Sequence, residues 1–269
     1  MKLTIDVADR ADKALARFFP DAGRRQLAEL FDDGQVRVNG KKARKGDRVA
    51  VGDTVELARE PVSGEALRPG PDPDVPLTIL VERSELVVVA KPAGIPSQPL
   101  RAGELGTIAN AIAFRYPECV AIGDDPRDGG LVHRLDIGTS GALVVARTLE
   151  TYHALREAFG AGQVSKQYLA ITDGLAAYTE IEIERTSPDH ALVRCTAQTG
   201  RMHQVRAHLA HAGAPITGDT LYGGAALHGL DGFFLHAASI ALPLGGERVV
   251  AEAPLPERFT RGLVACALT

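Results

Sequence analysis

Between Pro61 and Pro76 the chain reads PVSGEALRPGPDPDVP, with five prolines and two glycines in sixteen residues. Proline has no N–H to give to a ladder or a helix interior, and its ring fixes φ, so a run this dense fits inside neither element. Residues 61–76 are therefore expected to be an exposed, semi-stiff linker that divides the chain. Residues 1–60 would form a small module, and the roughly 190 residues of 77–269 a full domain with its own core. With no Trp and only 5% aromatic residues, both cores must be built mainly from Leu, Val, Ile and Ala.

In the module, Asp9 to Phe19 carries Ala11, Leu15 and Phe18/Phe19 at helical spacing, and Pro20, Asp21 and Gly23 stop it. Arg24 to Phe31 predicts a second short helix ended by Asp32-Asp33-Gly34. Gln35 to Gly40 alternates and turns at Asn39-Gly40, a hairpin signal. Val49, Val51, Val55 and Leu57 predict two more short strands around Gly52-Asp53. Charge in this module is uneven. From Arg24 to Arg48 there are eight Lys/Arg (Arg24, Arg25, Arg37, Lys41, Lys42, Arg44, Lys45, Arg48) against four Asp/Glu, a local +4 in a chain of net −4. Residues 1–60 as a whole carry 13 basic against 11 acidic residues. A basic cluster on an otherwise acidic chain is what local phosphate contacts need, whatever the total charge. The two helices, the VRVNG turn and the later Gly-Asp turn resemble the alpha-L RNA-binding module first seen in a small-subunit ribosomal protein.

In 77–269 the strands are expected at 84–90, 166–172, 181–184, 191–197 and 235–244, and the helices at 107–114, near 150–160 and at 201–211. Strands outnumber helices and no regular β-α-β alternation is present. This predicts an α+β domain with a mixed, mainly antiparallel sheet. Its centre is Leu131 to Arg147, LVHRLDIGTSGALVVAR. Residues two apart on a strand share a face, so an extended 131–136 would put Arg134 and Asp136 on one side. Gly138, Ser140 and Gly141 then turn the chain, and Ala142 to Ala146 reads as a buried strand.

Several classes are disfavoured. Cys119, Cys195 and Cys266 are too sparse for a zinc pair or a disulfide framework and fit a reducing compartment. The start, MKLTIDVADRAD, has no apolar signal region, and no apolar run approaches the roughly 20 residues that span a bilayer. A soluble cytoplasmic protein is expected. There is no phosphate-binding G-x-x-x-x-G-K-[ST], no G-x-G-x-x-G after a strand, and Ser140 lies outside a G-x-S-x-G elbow. His208 and His211 share a helix face but lack a third metal ligand.

Four segments are polar where a plain core would be apolar: KPAGIPSQP at 91–99, HRLDIGTSG at 133–141, KQYLA at 166–170, and TGRMHQVRAHLAHAGAPITGDTLYGG at 199–224. Singly, each admits a structural explanation. In this order, with HRLD-x-x-TSG and TGR-x-HQ-x-R-x-H, they resemble the motifs of the RluA family of pseudouridine synthases, and the likeness covers essentially all of 77–245. The resemblance implies isomerisation of uridine to pseudouridine in ribosomal or transfer RNA, without nucleotide or metal cofactor. Structured ribosomal RNA of the large subunit is the favoured partner, transfer RNA the alternative, and the protein is expected to act as a monomer.

The resemblance also implies roles. Asp136 is the carboxylate at the anomeric carbon, either nucleophile or proton acceptor. Arg201 is its guanidinium partner, offsetting the desolvation of a closed pocket. Tyr168 stacks on the uracil and is a candidate proton acceptor, although a phenol with a pKa of about 10 is a poor base at neutral pH. Arg134 fills the gap left by the flipped nucleotide. His133, Leu135, Thr139, Ser140 and Gly141 shape the site, and Lys41, Lys42, Arg44, Lys45, Arg24 and Arg25 contact RNA. The expected test in the fold is that Arg201, rather than Arg134, holds Asp136. Two rival readings remain: a non-catalytic RNA-binding or assembly protein of the same fold, and a hydrolase pairing Asp136 with His133 or His203.

Overall fold

A computed structural model describes the whole chain except Asp21, residues 175–180, Gln198 and the side chains of Arg24 and Arg25. It falls into two units: Met1–Arg68 with Arg101–Gly103, and Pro69–Leu100 with Glu104–Thr269.

The first unit runs β1 (Lys2–Thr4), β2 (Asp9–Arg10), α1 (Ala11–Phe18), α2 (Arg24–Asp32), β3 (Val36–Val38), β4 (Lys41–Lys42), β5 (Arg48–Val49) and β6 (Thr54–Leu57). Strands β1, β6, β3 and β4 form one sheet in that order, and β2 pairs with β5. The helices bury Ala11, Ala14, Leu15, Leu27 and Leu30 against Ile5, Val36, Val49, Val55 and Leu57. The Asn39-Gly40 turn has positive φ at both residues, 49° and 78°, as a two-residue hairpin requires. Asn39 locks it by accepting the Thr54 N–H at 2.9 Å and donating to Asp53 at 2.8 Å. Lys41, Lys42, Arg44, Lys45 and Arg48 are all exposed, anchored beneath by buried Ala43 and Val49. The side chains of Arg24 and Arg25 lie outside the described residues.

The proline-rich stretch is not wholly an exposed linker. Its second half belongs to the second unit. Asn110 Nδ2 donates to the Gly70 carbonyl at 2.8 Å, Asp72 accepts the Gly106 N–H at 3.0 Å, and Val75 is buried. Prolines cannot donate, but the carbonyls and carboxylate between them can accept, and that is how the segment is held.

The second unit runs β7 (Thr78–Glu82), β8 (Leu86–Lys91), α3 (Ile108–Arg115), β9 (Ser140–Ala146), α4 (Leu149–Gly160), β10 (Ser165–Asp173), β11 (Ile181–Thr186), β12 (His190–Ala197), α5 (Gln204–His211), β13 (Leu235–Leu244), β14 (Glu247–Glu252) and α6 (Glu257–Ala265). One sheet has the order β11-β12-β10-β13-β9-β8-β7, with β14 on β13. Every pairing in this sheet is antiparallel except β13 with β9, which is parallel through His236↔Ser140 and Ala237↔Gly141. The α+β architecture and the mixed, mainly antiparallel sheet are as the sequence predicts.

Strands β8 and β9 are buried on both faces, which is why they read as unbroken apolar runs. Val88 and Val144 pack with Tyr152 and Leu155 of α4, and Val87, Val89, Leu143 and Val145 pack with Ile108 and Ile112 of α3. On β10, Ala170 packs with Leu209 of α5, while Leu169 and Ile171 pack with Phe259 and Leu263 of α6. Tyr168 has the parity of Ala170 and joins the clusters of both α3 and α5. The site is built on that face, beside the parallel junction.

Candidate active site

The junction requires a glycine. Gly141 has φ +124°, and a Cβ there would lie 2.2 Å from the Ala237 carbonyl oxygen. The close approach fixes where β9 begins and so where the preceding turn projects. Ser140 fixes it from the side chain. Its hydroxyl lies 2.9 Å from His236 Nδ1, and His236 Nε2 lies 3.1 Å from the Ala253 carbonyl. A carbonyl only accepts, so Nε2 carries the proton and Nδ1 accepts the Ser140 O–H.

Residues 131–136 are not a strand. Apart from a single bridge from Leu131 to Val145 they are irregular, and Arg134 is exposed. The reason is side-chain capture of the ladder. His133 Nε2 accepts the Val144 N–H at 3.1 Å, a bond a neighbouring strand would otherwise take, and Ser97 Oγ brackets Leu135 by bonding both its N–H and its carbonyl. Thr139 N–H then closes a turn onto the Asp136 carbonyl at 3.0 Å. Lys91, 1% exposed, ties the turn down from below, donating to the carbonyls of Pro92 (2.9 Å), Ile137 (3.1 Å) and Thr139 (2.9 Å). Burial pulls its pKa down to about 8, against the opposing pull of the Asp136 carboxylate. Three N–H donations to three carbonyls need the ammonium form, so Lys91 is a cation at neutral pH.

Asp136 thus projects into an open cleft of about 440 Å³, lined by Arg134, Thr139, Tyr168, Arg201, His203 and Arg206 among others. The partner of its carboxylate is Arg206, not Arg201. Arg206 Nη1 donates to Asp136 Oδ2 at 3.1 Å, while Nε and Nη2 of the same guanidinium grip both oxygens of buried Asp219 at 2.7 and 2.8 Å. The guanidinium also lies over the Phe233 ring (4.4 Å) and near the Tyr222 ring (5.1 Å). The Asp219 bonds raise the Arg206 pKa further above its already high value. Oδ1 of Asp136 has no hydrogen-bond partner among the described residues; the nearest His203 nitrogen is 3.9 Å away.

The sequence expectation failed here because it placed Arg201 on the helix. His203 has φ +56°, which no helix interior admits, so α5 starts at Gln204. Arg201 lies before the helix, exposed on the rim of the cleft, and pairs with no carboxylate among the described residues. Arg206, in the first turn of α5, takes the position expected of it. Arg206 and Asp219 both lie inside the 199–224 segment, but only their long-range contact marks them as a pair.

Tyr168, half-buried on β10, faces the same cleft. Burial, and then the Asp136 charge, push its phenol up to about 12, so the hydroxyl stays protonated at neutral pH. His133 is engaged by the backbone and unavailable as a base for Asp136. Burial, and then the nearby Lys166 charge, push it down to about 3. His236 is also lowered, by burial first. Both are neutral when folded and would take up a proton near pH 6.5 when unfolded. The unfolded state therefore binds more protons below pH 6.5, and stability falls as pH drops, by roughly 1.4 kcal/mol per unit for His133 once well below that value. Thermal melting should show a falling Tm from pH 7.5 to 5, with a shallower slope in His236→Asn; a flat wild-type profile would contradict the assignment.

The fold is that of the human protein "RNA Pseudouridylate Synthase Domain Containing 4", with a TM-score of 0.59 at 22% identity over 71% of this chain and 93% of that one. A family profile described as RNA pseudouridylate synthase matches residues 85–211, and one described as S4 domain matches residues 9–55. "Ribosomal large subunit pseudouridine synthase D" of Xanthomonas campestris pv. campestris is 35% identical, covering 94% of this chain and 87% of that one. The protein of the same description from Xylella fastidiosa is 34% identical, covering 95% and 88%. The chain belongs to the RluA family of RNA pseudouridine synthases and carries an S4 domain. It is an isomerase that converts uridine in RNA to pseudouridine. Among the described residues no helix is long and apolar enough to cross a membrane.

Proposed function

We propose that the protein isomerises one or more uridines of large-subunit ribosomal RNA, acting in the cytoplasm as a monomer without cofactor. One observation carries the chemistry: Asp136 stands in an open cleft with one oxygen held by Arg206 and the other free of hydrogen bonds among the described residues. The guanidinium bond fixes the orientation of the carboxylate, and the free oxygen faces the substrate. A stacked uridine cannot reach such a cleft, so the nucleotide must be flipped out. Arg134, exposed at the mouth, is assigned to the vacated stack and Arg201 to backbone phosphate. Tyr168 is assigned to stacking on the uracil, because its phenol stays protonated up to about 12.

The choice of large-subunit RNA over transfer RNA rests on the relatives' names. The S4 domain and the exposed Lys41, Lys42, Arg44 and Lys45 favour a structured RNA. Chemical mapping of pseudouridines in total RNA from cells with and without the gene tests this. A site lost from large-subunit RNA is expected; loss from transfer RNA alone would overturn the assignment. RNA affinity should also fall steeply with salt, and changing Lys41 and Lys42 together to Gln should lower the log–log slope by about 1 for each phosphate that is no longer neutralised.

A further inference from the structure

His203, the left-handed residue that delays α5, has φ +56° and ψ +20°. Its carbonyl accepts the Ala207 N–H at 2.9 Å, so it is the N-cap, yet its side chain makes no cap bond. Glycine takes this conformation freely, and a larger residue held there calls for a reason. The imidazole supplies one. It lines the cleft, with 25% of its side-chain surface exposed. Its Nδ1 lies 3.1 Å from the Tyr222 hydroxyl, and the two rings meet edge-on at 80°. Its Nε2 lies 3.9 Å from Asp136 Oδ1, the carboxylate oxygen that has no hydrogen bond among the described residues. A carboxylate attracts an N–H and repels a bare lone pair. Nε2 therefore carries the hydrogen, and Nδ1 accepts from the Tyr222 O–H.

A donor and an acceptor thus stand 3.9 Å apart, too far to bond each other and close enough to share one oxygen between them. Bonds of about 2.7 Å to the carboxylate and about 2.9 Å to the imidazole would meet at that oxygen at roughly 90°. The shared group must accept from Nε2–H and also donate to Oδ1. In the isomerase reading, Asp136 serves C1′ of the flipped uridine. The polar groups beside C1′ are the sugar O4′, the base nitrogen N1 and carbonyl O2, and the 2′-hydroxyl. O4′ and O2 only accept, and N1 has no hydrogen to give. The 2′-hydroxyl alone both accepts and donates.

We propose that His203, held by Tyr222, reads the 2′-hydroxyl of the target nucleotide: Nε2–H donates to the hydroxyl, and the hydroxyl donates to Asp136 Oδ1. This rests on the isomerase reading of the Asp136 cleft. The contact sets C1′ against the carboxylate and makes the pocket itself distinguish ribose from deoxyribose. A site built to bond a hydroxyl rejects the analogue that lacks it, because its own polar groups are then left unpaired.

The test compares the full chain on two RNAs that differ at one atom, with uridine or 2′-deoxyuridine at the mapped target. Single-turnover pseudouridine assays run below half-saturation give a ribose-to-deoxyribose preference for each protein. Asparagine suits a left-handed backbone, and its amide reaches the place of Nδ1 but leaves no donor at Nε2. His203→Asn should therefore slow the uridine RNA by about tenfold and the deoxyuridine RNA little, so that the preference falls by about tenfold. His203→Gln, whose amide reaches the place of Nε2, should keep more of the preference. If His203→Asn melts low, Tyr222→Phe replaces it, with a smaller fall in preference expected because the ring loses only its anchor. Where the deoxyuridine RNA turns over too slowly to follow, the same preference is read from RNA affinity. A preference unchanged from wild type, whether because both RNAs slow equally or because neither slows, would overturn the inference alone. A wild-type protein that makes no pseudouridine from the uridine RNA overturns the isomerase reading with it.

Discussion

Arg206→Met is expected to lower pseudouridine formation by about 10²–10³-fold, whereas Arg201→Met should cost about tenfold or less, chiefly through weaker RNA binding. The asymmetry follows from where the three charges sit. Arg206 is buried and shared between Asp136 and an Asp219 side chain only 1% exposed. Removing it strips the Asp136 carboxylate of the one hydrogen-bond partner it has among the described residues, an electrostatic loss on the order of 10²–10³ in rate. It also leaves Asp219 as an uncompensated buried charge, which costs about 3–5 kcal/mol of stability. The two effects can be separated. Arg206→Met combined with Asp219→Leu removes the stranded charge and should recover much of the lost stability, yet remain as slow. Arg206→Lys keeps the charge but lacks the planar fork that grips both Asp219 oxygens while a third N–H reaches Asp136, so it should fold and turn over slowly. Asp136→Asn should bind RNA as wild type does while making no product. Appreciable turnover in Arg206→Met would return the role of carboxylate partner to Arg201.

Lys91→Met is expected to be the most disruptive change outside the cleft lining. The ammonium gathers the carbonyls of Pro92, Ile137 and Thr139, two of which flank Gly138 just after Asp136. Methionine fills a similar volume, so the loss is one of donors rather than of packing. Carbonyls left without partners in a buried site should cost about 2–4 kcal/mol, since each bond to a charged group contributes about 1.5–3 kcal/mol and the three are not additive. The turn that aims Asp136 would relax, and a displacement of about 1 Å at a reacting group costs on the order of 10²-fold in rate. Chemical denaturation and single-turnover rates measure the two parts. A Lys91→Met protein with wild-type stability and rate would show that Gly141 and Ser140 alone hold the turn.

Much of this fold was legible because its strands carry their burial on their faces. The run from Ala142 to Ala146 is apolar throughout, since α3 covers one side and α4 the other. The Asn39-Gly40 turn was equally plain, as its two positive φ values match the residues that tolerate them. What misled was local geometry that periodicity does not encode. Alternation in LVHRLD suggests a strand, but His133 and Ser97 occupy the backbone partners a strand would need. The apolar spacing from Met202 to Leu209 suggests a helix from Arg201, but the left-handed His203 delays its start to Gln204 and gives the carboxylate to Arg206. Lys91 sat in a loop segment already marked as unusual, yet its partners lie 46 and 48 positions along the chain, where no spacing rule reaches.

The shared guanidinium and the buried ammonium have a consequence for what the cleft will admit. Asp136 and Asp219 carry two negative charges, and Arg206 and Lys91 offset them with two positive ones. Both cations are committed to partners within the protein, Arg206 to the two carboxylates and Lys91 to three carbonyls, so neither is left for an incoming phosphate. A flipped nucleotide can therefore divide along its own chemistry, the uncharged base and sugar entering while the phosphates remain outside, on the side where Arg201 is proposed to meet them. Uridine and pseudouridine are both neutral, so turnover leaves that balance untouched. Nothing electrostatic in the interior separates product from substrate, and release of the modified strand falls to the contacts at the rim.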